Sequence, residues 1–242
     1  FFHRLIYHTL ADGIIVNAEK IKRTLLLSPF IDAGTTKVIH NGVDNLNIDS
    51  LAEIPASKPF PFVVVAVGVL TDRKGFDFLM NGFAAFTRNH PNINPGLIIM
   101  GDGPKKDELQ KLAVKLGIEN RTVFTGFVDN PYRYMTIGDV IAMTSKNEGI
   151  SNALIEGMYL GNVPVSTFAG GSEELIMDGR NGFLVEYGDS GRLEGVLSEL
   201  AENREIRKRL SSAAKETVKA GFSLDVMQRE MIDFCRSIKD AE

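Results

Sequence analysis

From Phe62 onward, six short runs rich in Val and Ile (62–70, 97–100, 123–124, 140–143, 163–166 and 183–185) alternate with longer segments of helical period. A strand buried on both faces reads as a continuous apolar run, and strands spaced by helix-length segments read as βαβ units. The alternation therefore predicts an α/β fold, a Rossmann-like parallel sheet with helices on both faces. The linking helices are expected near 76–89, 105–116, 132–136, 152–160 and 173–177. Ligands of such sheets bind beyond the carboxyl ends of the strands, so the loops at 68–75, 101–104, 126–130, 145–152 and 167–172 should share one rim.

The flanks read differently. Strand-like runs at 13–16 and 37–39 surround a helical stretch at 18–27, too little to close a core of its own, so residues 1–44 are expected to be the remnant of a second α/β domain. The polar, Pro-containing stretch 45–61 reads as a linker, and 62–222 as the main domain. Within 223–242, Leu224, Met227, Met231, Phe234 and Ile238 recur at three- and four-residue steps, an amphipathic helix whose apolar face is expected to pack on the first domain. Cys235 falls on an apolar stripe and is expected to be a buried structural thiol rather than a nucleophile. The incomplete sheet near Ile14 and Ile39, with the same apolar face, predicts self-association or poor solubility.

Of 242 residues 44% are hydrophobic, and the formal net charge is -4, so no cationic excess exists to neutralise a nucleic-acid backbone. No apolar run reaches the length of a membrane span. Any phosphate site must be local.

Glu148 and Glu156 lie eight positions apart across a strand end, a Gly-bearing turn and a helix start. This spacing aims two carboxylates at one cleft. Between them, the free N–H groups of Ile150, Ser151, Asn152 and Ala153 would form a helix N-terminus that suits an anion. Lys74, in the turn Gly68 to Gly75, would set a cation beside the next helix start. Gly101-Asp102-Gly103-Pro104 is too short for a dinucleotide fingerprint and reads as a tight βα turn.

In order along the chain, Val38-Ile39-His40-Asn41-Gly42-Val43-Asp44, the Gly68 to Gly75 turn, Met100 to Pro104, Phe124-Thr125-Gly126-Phe127-Val128, the run from Glu148 to Glu156, Gly161-Asn162-Val163-Pro164-Val165, and Gly170-Gly171-Ser172-Glu173-Glu174 with Asn181-Gly182-Phe183-Leu184-Val185 resemble the retaining glycosyltransferases of the GT-B fold, in particular glycosyltransferase family 4. The resemblance implies a donor-binding C-terminal domain preceded by the tail of an acceptor-binding N-terminal domain. It implies a nucleotide diphosphate sugar as donor substrate, and Lys74 as a diphosphate ligand. Glu148 would face the transferred sugar, with Glu148 and Lys74 as the catalytic residues, and Glu156 would take the ribose hydroxyls. Backbone N–H groups from Ile150 to Ala153 would hold phosphate, with Gly149 also in the donor site, and Phe127-Val128 would lie against the base. No cofactor or metal is implied, and the sequence has no Asp-x-Asp. An acceptor glycan or lipid-linked glycan would be bound through the N-terminal domain, at the cytoplasmic face of a membrane, in surface polysaccharide or lipopolysaccharide synthesis.

One position departs. Val69 stands where the family carries an Arg that also contacts the diphosphate. A charge-assisted hydrogen bond contributes roughly 1.5–3 kcal/mol, so its loss corresponds to about ten- to a hundredfold in donor affinity. Arg73 can replace it only if its side chain turns inward. None of His3, His8, His40 and His90 stands in the context of the family's sugar-contacting His, and each reads as surface or packed. With only residues 1–44 available from the acceptor half, this chain alone is expected to be inactive. The other readings are a non-catalytic nucleotide-sugar-binding or assembly module completed in trans, the epimerase branch of the same fold, and a dinucleotide-dependent oxidoreductase.

Overall fold

The computed structural model describes residues 11–239; His3 and His8 lie outside them. Two sheets are present among these residues. A small parallel pair joins β1 (Ile14–Val16) to β2 (Thr36–Val38) with α1 (Glu19–Leu25) between them. The second sheet has six parallel strands, β3 (Phe62–Val67), β4 (Pro95–Met100), β5 (Thr122–Gly126), β6 (Val140–Met143), β7 (Val163–Thr167) and β8 (Phe183–Val185), in the order β5-β4-β3-β6-β7-β8. This is the doubly wound order, and its direction reverses between β3 and β6. At that switch point the two following crossovers leave for opposite sides and open a crevice.

Both faces of the sheet are covered. Phe62, Val64 and Ala66 of β3 pack with α3 (Phe76–Asn89), α4 (Lys106–Leu116) and α8 (Ser190–Glu202), while Val63 and Val65 face the other way. That second face meets α6 (Asn152–Tyr159) and α9 (Arg204–Gly221). Successive side chains of a strand point to opposite sides, and here both sides are apolar. Helix α3 forms because Phe76, Leu79, Met80, Phe83 and Phe86 recur on one face, all of them buried. Pro91 follows it directly and prevents its continuation. Burying Phe83 and Phe86 stabilises the fold by about 1.5–3 kcal/mol each. Short helices α5 (Tyr132–Met135) and α7 (Ser172–Leu175) complete the crossovers.

Two expectations are corrected. The stretch 45–61 is not a linker: it holds α2 (Asn45–Ala52), whose Ile48 is buried in the main core. Asp44 caps this helix by accepting from the Asn47 amide, and Asp49 accepts from the Tyr159 hydroxyl at 2.8 Å. One buried apolar residue leaves a helical period too faint to read, and Pro55, Pro59 and Pro61 fall after the helix. Cys235 is exposed. It lies on α10 (Leu224–Lys239), which turns Phe234 and Ile238 instead toward Gly13 beside β1. That contact, with the Gly42 amide donating to Met227 Sδ at 3.3 Å, puts α10 on the first sheet.

Within the described residues the chain crosses between the two units twice, at one place. Val43 pairs with Ser223, the Val43 amide donating to the Phe222 carbonyl at 2.9 Å and the Leu224 amide to the Val43 carbonyl at 3.0 Å. No helix among the described residues is long and apolar enough to cross a membrane.

Candidate functional site

The loops after β3 and β6, on either side of the switch point, carry the charged cluster. After β3, a single 3-10 turn (Asp72–Lys74) ends at Gly75, whose φ of 63° lets α3 begin at once. A Cβ at Gly75 would lie 2.0 Å from the Thr144 carbonyl oxygen, so only glycine permits this contact between the two loops. The turn delivers Lys74 into the crevice. Its stem runs past Gly68, and its Nζ donates to Glu148 Oε2 at 2.7 Å. Arg73 also turns inward, its Nη1 donating to the same oxygen at 2.9 Å and to the Asn147 carbonyl at 3.0 Å. Ser145 Oγ donates to that oxygen at 3.2 Å.

The Glu148 side chain is 18% exposed and Lys74 13%, against 55% for Arg73. Burial pushes the Glu148 carboxyl up, but the Lys74 and Arg73 hydrogen bonds outweigh it and hold the group below the usual carboxylate range. It is ionised at neutral pH. Its backbone is fixed as well, since the Glu148 amide donates to the Ala169 carbonyl at 2.7 Å.

Helix α6 starts four residues later. Ser151 at its N-cap makes no side-chain cap, and the Asn152 and Ala153 amides in its first turn have no acceptor within the helix. Glu156, one turn on, is partly buried, and burial raises its pKa. The Tyr132 hydroxyl donates to Glu156 Oε1 at 3.4 Å, and burial with the Glu156 charge pushes the phenol up to about 12.

Two cavities open on this rim. One, of about 330 Å³, lies over the ends of β3, β4 and β5 and is walled by Val67, Val69, Met100, Phe127, Val128 and Pro131. Apart from Asp102 its lining is apolar. The other, of about 380 Å³, lies between α1 and the Glu148 turn, with Lys20, Ile21 and Leu25 on one wall and Arg73, Glu148 and Gly149 on the other. The structure thus brings Arg73, Lys74, Glu148 and Gly149 together, keeps Asn152, Ala153 and Glu156 on the adjoining helix, and sets Phe127 and Val128 at the first cavity. The Ile150 side chain is buried in the core, and its backbone nitrogen lies on the loop side, beside Gly171.

Ser145, Tyr132 and the α1 wall were not anticipated. Ser145 and Tyr132 could have been found from their places beside Glu148 and at a helix start, whereas nothing marks Lys20 in the sequence. His40 stacks on Phe222 and bonds Glu174, and His90 bonds Ser198 and Glu202, so both are packed side chains. Among the described residues no three His, Cys, Asp or Glu side chains gather as metal ligands would.

The sequence pattern of the family described as glycosyl transferases group 1 matches residues 48–217. The chain belongs to this family. Over 234 residues it is 30% identical to the lipopolysaccharide core biosynthesis glycosyltransferase LpsE of Rhizobium meliloti (strain 1021), a match covering 93% of this chain and 64% of that protein. It is also 30% identical over 213 residues to the N-acetylgalactosamine-N,N'-diacetylbacillosaminyl-diphospho-undecaprenol 4-alpha-N-acetylgalactosaminyltransferase of Campylobacter jejuni subsp. jejuni serotype O:2, covering 87% of this chain and 56% of that one. Among solved structures, Anabaena Alr3699/HepE in complex with UDP superposes with a TM-score of 0.81 at 26% identity, covering 96% of this chain and 65% of that chain. The galactosyltransferase WaaB, in its apo form, shares the fold with a TM-score of 0.76 at 24% identity, over 94% of this chain and 62% of that one. The chain therefore spans between about half and two thirds of the length of these relatives.

Proposed function

We propose that this chain is the donor-binding part of a retaining glycosyltransferase, which moves a sugar from a nucleotide diphosphate sugar to an acceptor hydroxyl. The observation that carries the reading is the convergence of Lys74 and Arg73 on Glu148 at the switch point, beside the open first turn of α6. Two cations and a helix N-terminus stabilise the charge that grows on a departing nucleoside diphosphate. The base would occupy the apolar cavity at Phe127 and Val128. Glu156, one turn into α6, would accept from the ribose hydroxyls.

Glu148, held ionised, would orient the sugar hydroxyls and stabilise positive charge at its anomeric carbon. That carbon loses its bond to the diphosphate oxygen and gains one to the acceptor oxygen on the same face, and the acceptor proton passes to the departing diphosphate. Val69 would leave one diphosphate contact unmade, and Arg73, turned onto Glu148, offers a second cation beside Lys74. The acceptor, a glycan or lipid-linked glycan, would enter on the side of α1, through the remainder of an N-terminal domain, and transfer would need that domain. The names of the relatives support a place in surface polysaccharide or lipopolysaccharide synthesis, and that work would lie at the cytoplasmic face of a membrane.

The test is calorimetric titration with UDP, GDP and ADP and their sugar conjugates, on the native chain, Lys74→Ala and Glu156→Ala. Saturable binding of one nucleotide, weakened in both variants, is expected. Binding that neither substitution alters refutes the placement, and no binding at all favours a module without chemistry of its own.

A further inference from the structure

The first turn of α1 has no cap of its own. Its N-cap is Ala18, fully buried and without a polar side chain, so the Glu19 amide depends on an acceptor from elsewhere. Glu174 of α7 provides it from the other side of the cleft. The Glu19 N–H donates to both carboxylate oxygens, at 2.8 and 3.0 Å, and His40 Nε2 lies 3.0 Å from Oε2.

Glu174 is in turn tied to the Glu148 turn. Gly170 pairs with Glu148, and Gly171 lies so close to the Ile150 amide that a Cβ there would sit 2.4 Å from its nitrogen. On the near side, the Lys20 side chain rests on Gly170 and the tip of Ile21 on Gly149. A second hydrogen bond, from Asn41 Nδ2 to Asn152 Oδ1 at 2.8 Å, joins the same unit to the start of α6.

We infer that Glu174 is a positioning residue: by capping α1 from across the cleft, it sets the wall made by Lys20 and Ile21 in register with Glu148 and Gly149. Glu174 touches neither Lys74 nor the first turn of α6. It acts through α1, on the side from which the proposed reaction receives its acceptor. That role rests on the proposed function, whereas the capping contact stands without it.

The experiment measures the separation of α1 from the Glu148 turn by nitroxide labels at Arg23→Cys and Lys146→Cys, both exposed, in a Cys235→Ser background. Glu174→Ala removes the acceptor. Glu19→Pro removes the donor from the other side, and proline is accepted at a first helical position after an extended residue such as Ala18, whose φ and ψ are -154° and 145°. Glu174→Gln keeps a carbonyl oxygen for the Glu19 amide. The expected result is a second, longer population in Glu174→Ala and Glu19→Pro, with the native distribution kept in Glu174→Gln. Native distributions in both Glu174→Ala and Glu19→Pro, or a Gln variant as broadened as the Ala variant, overturn the inference. Titration of the same samples with UDP separates the two readings, for absent UDP binding in the native chain counts against the donor site and leaves the distances to decide the role of Glu174.

Discussion

Removing the negative charge of Glu148 should tighten the binding of UDP. In the structure, one oxygen of Glu148 holds both Lys74 and Arg73, at 2.7 and 2.9 Å, so a diphosphate that takes these cations must first displace the carboxylate. Glu148→Gln keeps the shape and abolishes the competition. Partly exposed ion pairs contribute roughly 0.2–1 kcal/mol each. Releasing two should therefore improve UDP affinity by about 0.4–2 kcal/mol, or roughly two- to thirtyfold. With UDP-glucose the gain should be smaller, because the sugar loses the carboxylate meant for its hydroxyls. The native chain should also bind UDP more tightly as the pH falls through the lowered pKa of Glu148, and this acid limb should be missing in the variant. Calorimetry at matched ionic strength reads all three effects. Unchanged or weaker UDP binding by Glu148→Gln would refute the reasoning, since it would mean that the carboxylate assists the diphosphate rather than excluding it.

Val69 is 58% exposed at the edge of the cavity that Phe127 and Val128 line, so Val69→Arg should tighten UDP about tenfold or more through a charge-assisted hydrogen bond; an unchanged dissociation constant would show that Arg73 already fills the role. Gly75→Ala should destabilise the fold by at least about 1–3 kcal/mol, from the left-handed backbone alone, before the Thr144 carbonyl is forced aside. An unmoved urea midpoint would contradict this. Glu156→Gln concerns pH. Burial raises the folded pKa of Glu156, so the fold binds the extra proton and the native chain loses stability as pH rises from the ordinary carboxylate range through that raised value. The Gln variant should therefore melt higher than the native chain at pH 7, with the difference vanishing in acid. Equal melting temperatures at pH 7 would sink it.

The main sheet was legible because its strands are apolar on both faces and their spacing repeats. The charged cluster was legible as well, since Lys74 and Glu148 lie in loops whose place on the rim follows from strand order, with Glu156 one turn into the helix that follows. What stayed hidden depends on contacts distant in sequence. Helix α2 shows one buried residue, Ile48, and is held by Tyr159 and the core rather than by its own period. Cys235 shares a helix with the apolar stripe but points away from it, a difference of one position that the pattern cannot resolve. Glu174 reads as an ordinary acidic residue in a short helix, because the amide it caps lies 155 positions earlier.

The pairing of Val43 with Ser223 bears on how the cleft can open. Both covalent paths between the β1–α1–β2 unit with α10 and the six-stranded domain run through this one crossing, where Gly42 lies so near that a Cβ would sit 2.3 Å from the Ser223 carbonyl oxygen. Among the described residues, everything else that joins the two units is a side-chain or surface contact. A body attached at a single narrow pivot swings like a door on one pin, and neither leaf has to unfold. The travel of α1 away from Glu148 then grows with distance from the pivot, so a small rotation at residues 43 and 223 becomes a wide gap at the far wall of the cavity, and substitutions that stiffen or loosen the pivot would change the rate of opening while leaving the charged cluster intact.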